Sequence, residues 1–473
     1  MKRRAVIAGL WPTHTQALDP FLAQYGPVVI VSSAAFATEH LHKVAAAHGC
    51  EVVILDTLLQ PDHDTAQPAA QSLEALWPTL AAAGPLADRL GGPGGDALPA
   101  LIERELSVEL PSSIRMLDAL EAARRQFNIV LFVTTEDVTP LYRPATAWAV
   151  AHGIPSLHVA HSIALADPFT VHAHLVADRL AVYGQRGAEG YLDLGIAPER
   201  IAVTGNPDWD AYARFAGRHA EVRSELDRRY SLDPALPLVV FATTWPGHMT
   251  AHEPAGDTNF ASLQAFANAC AELAAQGVAV NAIVKDRSNN ADTGSASLAR
   301  AVAAAGAGEV RFVRTLVDTQ ELAAVADVVV GVDSNLLVEA MLNGTPVINL
   351  VADDLAALGP TFEEESGVVE AEPRRLAEEI RRLIQDSGFR AERLSQIAAR
   401  STYYNFGGID GRSAERVGSL LASMALPPGR GAVLVEEAYR RGRSVGGRAY
   451  RRVRAIGGRV RRLAARALRR RRA

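Results

Sequence analysis

Cysteine is almost missing from this chain. Two occur in 473 residues, Cys50 and Cys270, far apart and without metal-ligand spacing, which leaves no disulfide framework and implies a reduced, cytosolic setting. Long apolar runs are lacking too: no stretch reaches the eighteen or more consecutive apolar residues of a membrane-spanning helix. The opening MKRRAVIAGLWPTHTQ has only a short apolar run ending at a turn, so it reads as a first strand and not as a secretory signal. Lysine is the third scarcity, with only Lys2, Lys43 and Lys285 among 48 basic residues. What remains is ordinary for a globular protein, 48% hydrophobic and 21% charged. Its length exceeds one core and predicts two domains. The net charge of −5 hides an asymmetry, because residues 440–473 carry fifteen arginines and no acidic residue. The chain is an acidic body with a basic tail.

Short β-branched apolar runs at 4–10, 27–33 and 51–56 are separated by helix-length segments, the alternation of a parallel sheet wrapped by helices. From about 58 to 126 the pattern turns helical, broken by GGPGGD at 91–96, and predicts an inserted helical segment with a glycine-rich loop. Strands resume at 128–137 and 154–162 around a helix at 141–152, then at 180–184 and 200–206. A second series follows: strands at 238–244, 278–285 and 310–316, with helices near 260–276, 295–305 and 319–326. The ordering predicts an α/β fold of two Rossmann-like domains facing across a cleft. Their expected bounds are 1–207, with the insertion, and 238–427, joined by a crossing at 208–237 and followed by a basic tail at 428–473.

Residues 327–350, DVVVGVDSNLLVEAMLNGTPVINL, are the clearest unit: a buried strand, a turn, Ser334 as N-cap, a helix to about 343, a Gly344–Pro346 stop and a second buried strand. The loop and helix start then lie at the carboxyl edge of a parallel sheet, where open α/β folds bind ligands. Asn335, Glu339 and Asn343 share one helix face. Either that stripe faces water, or Glu339 is buried and needs a polar partner.

Four stretches together resemble bacterial GT-B glycosyltransferases, and more narrowly the surface-polysaccharide and CDP-glycerol glycerophosphotransferase-like proteins related to UDP-N-acetylglucosamine 2-epimerases. They are ADRLAVYGQRGAEGYLDLGIAPERIAVTGNPDWD, the pair VVFATTWPG and NAIVKD, DSNLLVEAMLNGTPVI, and GGIDGRSAERV. The chain departs from these relatives at 160–162, where AHS replaces a frequent QHG, and at 285–288, where Lys-Asp-Arg-Ser replaces KxHP.

The resemblance implies transfer of a sugar or polyol phosphate from a nucleotide-activated donor, a nucleotide sugar or CDP-glycerol, with no obligatory metal. Such transfer needs the leaving diphosphate neutralised and an acceptor hydroxyl activated. For the first task the residues offer Lys285 at a strand end, Arg287, and the backbone from Thr243 and Thr244 to Gly247. By resemblance Ser334 and Asn335 would sit by the phosphates and Glu339 would hold the ribose hydroxyls. For the base the options are His161, Asp137 and Glu136, all expected at strand ends of the first domain, with His14 after them. His158, His161, His172 and His174 have a zinc-like density, but strand alternation puts the first two on opposite faces and no cysteine joins them. In the tail, Val453, Ile456, Val460, Leu463 and Leu468 recur near helical spacing among arginines, which fits a helix on an anionic membrane surface. Only Tyr450 there is aromatic, so base stacking on nucleic acid is not expected. The reading is a transferase at the cytoplasmic membrane face acting on a cell-envelope glycan or lipid-linked acceptor. A nucleotide-sugar 2-epimerase and a non-catalytic binding protein of the same fold are the alternatives.

Overall fold

In the computed structural model of the protein, residues 2–59, 68, 71–72, 75, 109–137, 139, 141–161, 175–243, 259–287, 294–351 and 362–425 are described. Their strands form two wholly parallel sheets. The first contains β1 (Arg4–Gly9), β2 (Val29–Ser32), β3 (Glu51–Ile54), β4 (Asn128–Thr134), β5 (Ser156–Val159), β6 (Arg179–Val182) and β7 (Ile201–Val203), in the order β3-β2-β1-β4-β5-β6-β7. The second contains β8 (Leu238–Ala242), β9 (Asn281–Lys285), β10 (Phe312–Thr315), β11 (Val328–Gly331), β12 (Val347–Leu350) and β13 (Val369–Ala371), in the order β10-β9-β8-β11-β12-β13. Each sheet starts in its middle, is built outward in one direction, then resumes on the other side. Crevices therefore open at the carboxyl ends between β1 and β4 and between β8 and β11. The central strands are apolar on both faces because helices cover both: Ala5, Ile7, Val31, Phe132, Val240 and Val329 are all buried.

Helices α1 (Leu18–Tyr25), α2 (Glu39–Ala47), α3 (Leu110–Gln126), α4 (Tyr142–Ala151) and α5 (Gln185–Asp193) belong to the first series. The second has α6 (His219–Tyr230), α7 (Phe260–Ala275), α8 (Gly294–Ala304), α9 (Thr319–Val325), α10 (Asn335–Leu342), α11 (Leu376–Gln385), α12 (Ser387–Tyr404) and α13 (Ser413–Ala425). Most of the insertion expected at 58–126 lies outside the described residues. Its last part is α3, whose Met116, Ala119, Leu120 and Ala123 share one core with Ile7, Val31 and Phe132. That portion is a crossover helix of the sheet layer, since its apolar residues recur three and four apart toward the strands.

The expected crossing at 208–237 is more than a spacer. It consists of a 3-10 segment, Pro207–Phe215, and α6. A single core runs from Leu180 and Tyr183 of the first sheet through Trp209 and Tyr212 to Val240 and Leu337 of the second. Both sheets thus fall within one compact unit, Met1–Ala422. Helix α13, expected among the closing helices of the second domain, packs on the first: a Cβ at Gly418 would overlap Pro20 and Phe21. Its N-terminus is tied to the crossing, where Asp210 accepts from the Ser413 N–H (2.8 Å) and the Ala414 N–H (2.7 Å). From Ser423 the chain belongs to a second unit, of which only residues 423–425 are described.

Candidate functional site

The carboxyl edges of the two sheets come into contact where α10 begins. Ser334 caps this helix as its sequence predicts, its Oγ accepting from Leu336 N–H at 3.3 Å. From the next residue, Asn335 Nδ2 donates to the His161 carbonyl at 3.3 Å. His161 directly follows β5 and Ala160, so this bond joins the carboxyl edge of the first sheet to the helix start above the second. On the His161 ring, Nδ1 lies 2.9 Å from the Thr135 carbonyl. A carbonyl only accepts, so Nδ1 carries a proton and Nε2 is the nitrogen left to take up or release one.

Around His161 the first sheet gathers three more groups. Glu136 follows β4 and takes the Trp11 indole N–H on Oε1. Burial raises its pKa, opposed by the charge of His161 and by the Trp11 bond. Thr135 braces this loop, donating its N–H to Gly9 O at 2.9 Å and receiving the Trp11 N–H on Oγ1 at 3.2 Å. His14 sits in the 3-10 turn Pro12–Ala17 after β1, with Nδ1 2.9 Å from Thr13 Oγ1. Burial, and then the neighbouring His161, push its pKa down to about 3, so it is neutral at pH 7. Asp137 goes elsewhere. Its carboxylate is 1% exposed and accepts from Val176 N–H (3.0 Å) and Ala177 N–H (3.1 Å), anchoring the chain ahead of β6. The expectation that Glu136 and Asp137 both project at the strand edge therefore divides: the chain turns after β4 ends at Thr134, and only Glu136 faces Trp11 and His161.

On the second sheet Lys285 ends β9, only 9% exposed, its Nζ donating to Asp286 O at 2.7 Å. Burial lowers its pKa, against the charges of Asp286 and Glu339. Asp286, noted in the sequence only as part of the 285–288 departure, is the hub that holds this edge. Its Oδ1 accepts from Thr243 Oγ1 at 2.8 Å and Arg287 N–H at 2.9 Å, and its Oδ2 pairs with Arg314 Nε at 2.7 Å. The Lys-Asp-Arg sequence thus places here a buried carboxylate that locks the ends of three neighbouring strands together. Arg287 itself is exposed. Thr244, Gly247, His172 and His174 lie outside the described residues.

Glu339 settles the question left by helical periodicity. Helix α10 is buried nearly all round, and Glu339 accepts the Tyr212 hydroxyl on Oε2, with the Trp209 indole near enough to favour its charged form. Its pKa is pushed up to about 7, by burial first and also by the charge of Asp208, against Tyr212, Trp209 and Lys285. Asp208 is itself raised to about 6 by burial. Sequence reasoning missed Trp11, Asp286, Arg314, Asp208 and Tyr212. Of these, Asp208 and Asp286 had a signal in hand, since they lie inside the GNPDWD and NAIVKD stretches singled out for other reasons.

No family model matches this sequence, and no curated protein is significantly similar to it. Solved structures are. UDP-GlcNAc 2-epimerase from Neisseria meningitidis, bound to UDP-GlcNAc, aligns with a TM-score of 0.53 at 12% identity, covering 89% of this chain and 100% of that one. A glycosyltransferase from Rickettsia africae aligns at 0.52 and 11% identity, over 90% and 100%. Anabaena HepE in complex with UDP-glucose aligns at 0.50 and 16%, over 88% and 100%. With its two parallel, doubly wound sheets wrapped by helices, the chain has the GT-B glycosyltransferase-like fold.

Proposed function

We propose that the protein is a transferase that moves a sugar or polyol-phosphate unit from a nucleotide-activated donor to a glycan or lipid-linked acceptor of the cell envelope. The observation that carries this reading is the Asn335–His161 bond, which brings a helix N-terminus and a basic imidazole nitrogen into one crevice. The likeness to structures solved with UDP-GlcNAc and UDP-glucose supports a nucleotide diphosphate as the activating group. In this reading the donor lies on the second sheet. Lys285 and the N–H groups at the start of α10 receive the diphosphate, Ser334 and Asn335 border it, and Glu339 holds the ribose hydroxyls. The acceptor lies on the first sheet. Its hydroxyl loses a proton to His161 Nε2 as its oxygen bonds to the transferred unit, and the bond from that unit to the diphosphate oxygen breaks, releasing the nucleotide. Glu136 and neutral His14 flank the imidazole. The arginine-rich tail would hold the enzyme at the inner, anionic membrane surface.

Incubating the purified protein with nucleotide sugars and CDP-glycerol, with and without an envelope extract, tests the reading. Acceptor-dependent nucleotide release is expected. Interconversion of the free nucleotide sugar would instead make the protein an epimerase, and binding without turnover a non-catalytic member of the fold. Lys285→Ala and Glu339→Ala are each expected to weaken nucleotide binding about tenfold or more, the loss of roughly one charge-assisted contact. Unchanged affinity in both variants would reject the donor site.

A further inference from the structure

The segment Pro207–Phe215 reads in sequence as a connection between domains, yet it delivers three side chains to one carboxylate. Tyr212 donates to Glu339 Oε2, the nearby Trp209 indole favours the charged form, and Asp208 brings a like charge. Both aromatic rings are buried, Tyr212 at 0% exposure and Trp209 at 1%, and they share a core with Leu336, Leu337 and Val338 of α10. A Glu side chain there has several rotamers and apolar walls, so its direction is fixed by whichever donors it meets. One hydrogen-bond donor leaves most of the acceptor capacity of a carboxylate unused.

We propose that Tyr212 is a positioning residue for the donor, holding the Glu339 carboxylate in the one orientation that accepts a ribose diol and making the interdomain segment part of the nucleotide site. The proposal rests on the donor reading above. Its geometry is a 127-residue separation closed by one buried bond, between a helix of the second sheet layer and the crossing chain. The groups facing Glu339 also give it a pH dependence. Tyr212 and Asp208 come from the crossing, Tyr183 from the end of β6 and Lys285 from the end of β9. A diol is best received by the anion, so nucleotide affinity rises with pH through the range in which Glu339 ionises. Removing the Asp208 charge moves that rise to lower pH.

The test is calorimetric titration of the full chain with UDP, CDP, GDP and dTDP, each alongside its 2′,3′-dideoxy analogue (the 3′-deoxy one for dTDP). Wild type is expected to prefer the best hydroxylated nucleotide to its deoxygenated analogue by about tenfold or more. In Tyr212→Phe, which keeps the ring and removes only the hydroxyl, that ratio falls to within about twofold, while binding of the analogue is unchanged. A purely structural loss would weaken both ligands equally and keep the ratio, which overturns the proposal. Glu339→Gln, which preserves shape, should lose the same discrimination, and Asp208→Asn should shift the pH profile downward. A wild type that binds without discriminating rejects the ribose role of Glu339, and the proposal with it. If the wild type binds none of the four, the donor reading itself has failed.

Discussion

Glu339 shows what a single residue can and cannot announce. Its place on an otherwise apolar helix marks it as needing a partner, and the fold supplies that partner from Tyr212, far off in the chain, where no local pattern points. The proton balance of this carboxyl can be measured. Its folded pKa is about 7 against an ordinary 4.5, so between those values the folded protein binds more protons than the unfolded chain. Stability is therefore undiminished at pH 4.5 and falls as pH rises toward 7, by roughly 3 kcal/mol at about 1.4 kcal/mol per unit. Urea unfolding across this range should show Glu339→Gln losing less stability than wild type by about that amount, and parallel profiles would contradict the buried, raised carboxyl. His14 acts with the opposite sign. Its pKa is lowered to about 3, so its contribution is complete above 6.5 and is lost as pH falls.

At the scale of elements, strands and helices were largely legible, because β-branched runs and helical apolar spacing are local properties. Their ends were not. The strand expected at 128–137 stops at Thr134, where its neighbour β1 stops at Gly9, since a strand extends only as far as a partner receives its hydrogen bonds. The turn that follows is what separates Glu136 from Asp137. The stretch 208–237 offered no sign that it would hold a buried 3-10 segment, because Trp209, Tyr212 and Phe215 acquire an apolar environment only from two lobes at once. One device in this segment is directly testable. Asp210 caps α13 through two backbone N–H groups 203 and 204 residues away. Asp210→Ala should destabilise the protein by about 1–2 kcal/mol, as loss of a cap does, with Asp210→Asn intermediate. An alanine variant that melts with wild type would show that the cap contributes nothing.

At the scale of the molecule, charge is divided between an acidic body and the arginine-rich tail, whose structure lies outside the described residues. Among the described residues no helix is long and apolar enough to cross a membrane. If the tail is the membrane anchor, the full chain should co-sediment with anionic phosphatidylglycerol vesicles in low salt, and deletion of residues 440–473 should leave it in the supernatant. A deletion variant that still pellets would reject that role. The order of apolar runs sufficed to determine two parallel sheets, because a parallel strand buried on both faces writes its environment into consecutive residues. Lys285 stood out by rarity, and Ser334 by its place before a helix. Only the tertiary structure decided that Asp137 turns inward, that Asp286 ties Thr243 to Arg314, and that the crossing chain reaches Glu339. Those outcomes depend on which groups distant segments bring into hydrogen-bonding range, and a buried polar group takes whatever partner the packing of both lobes leaves beside it.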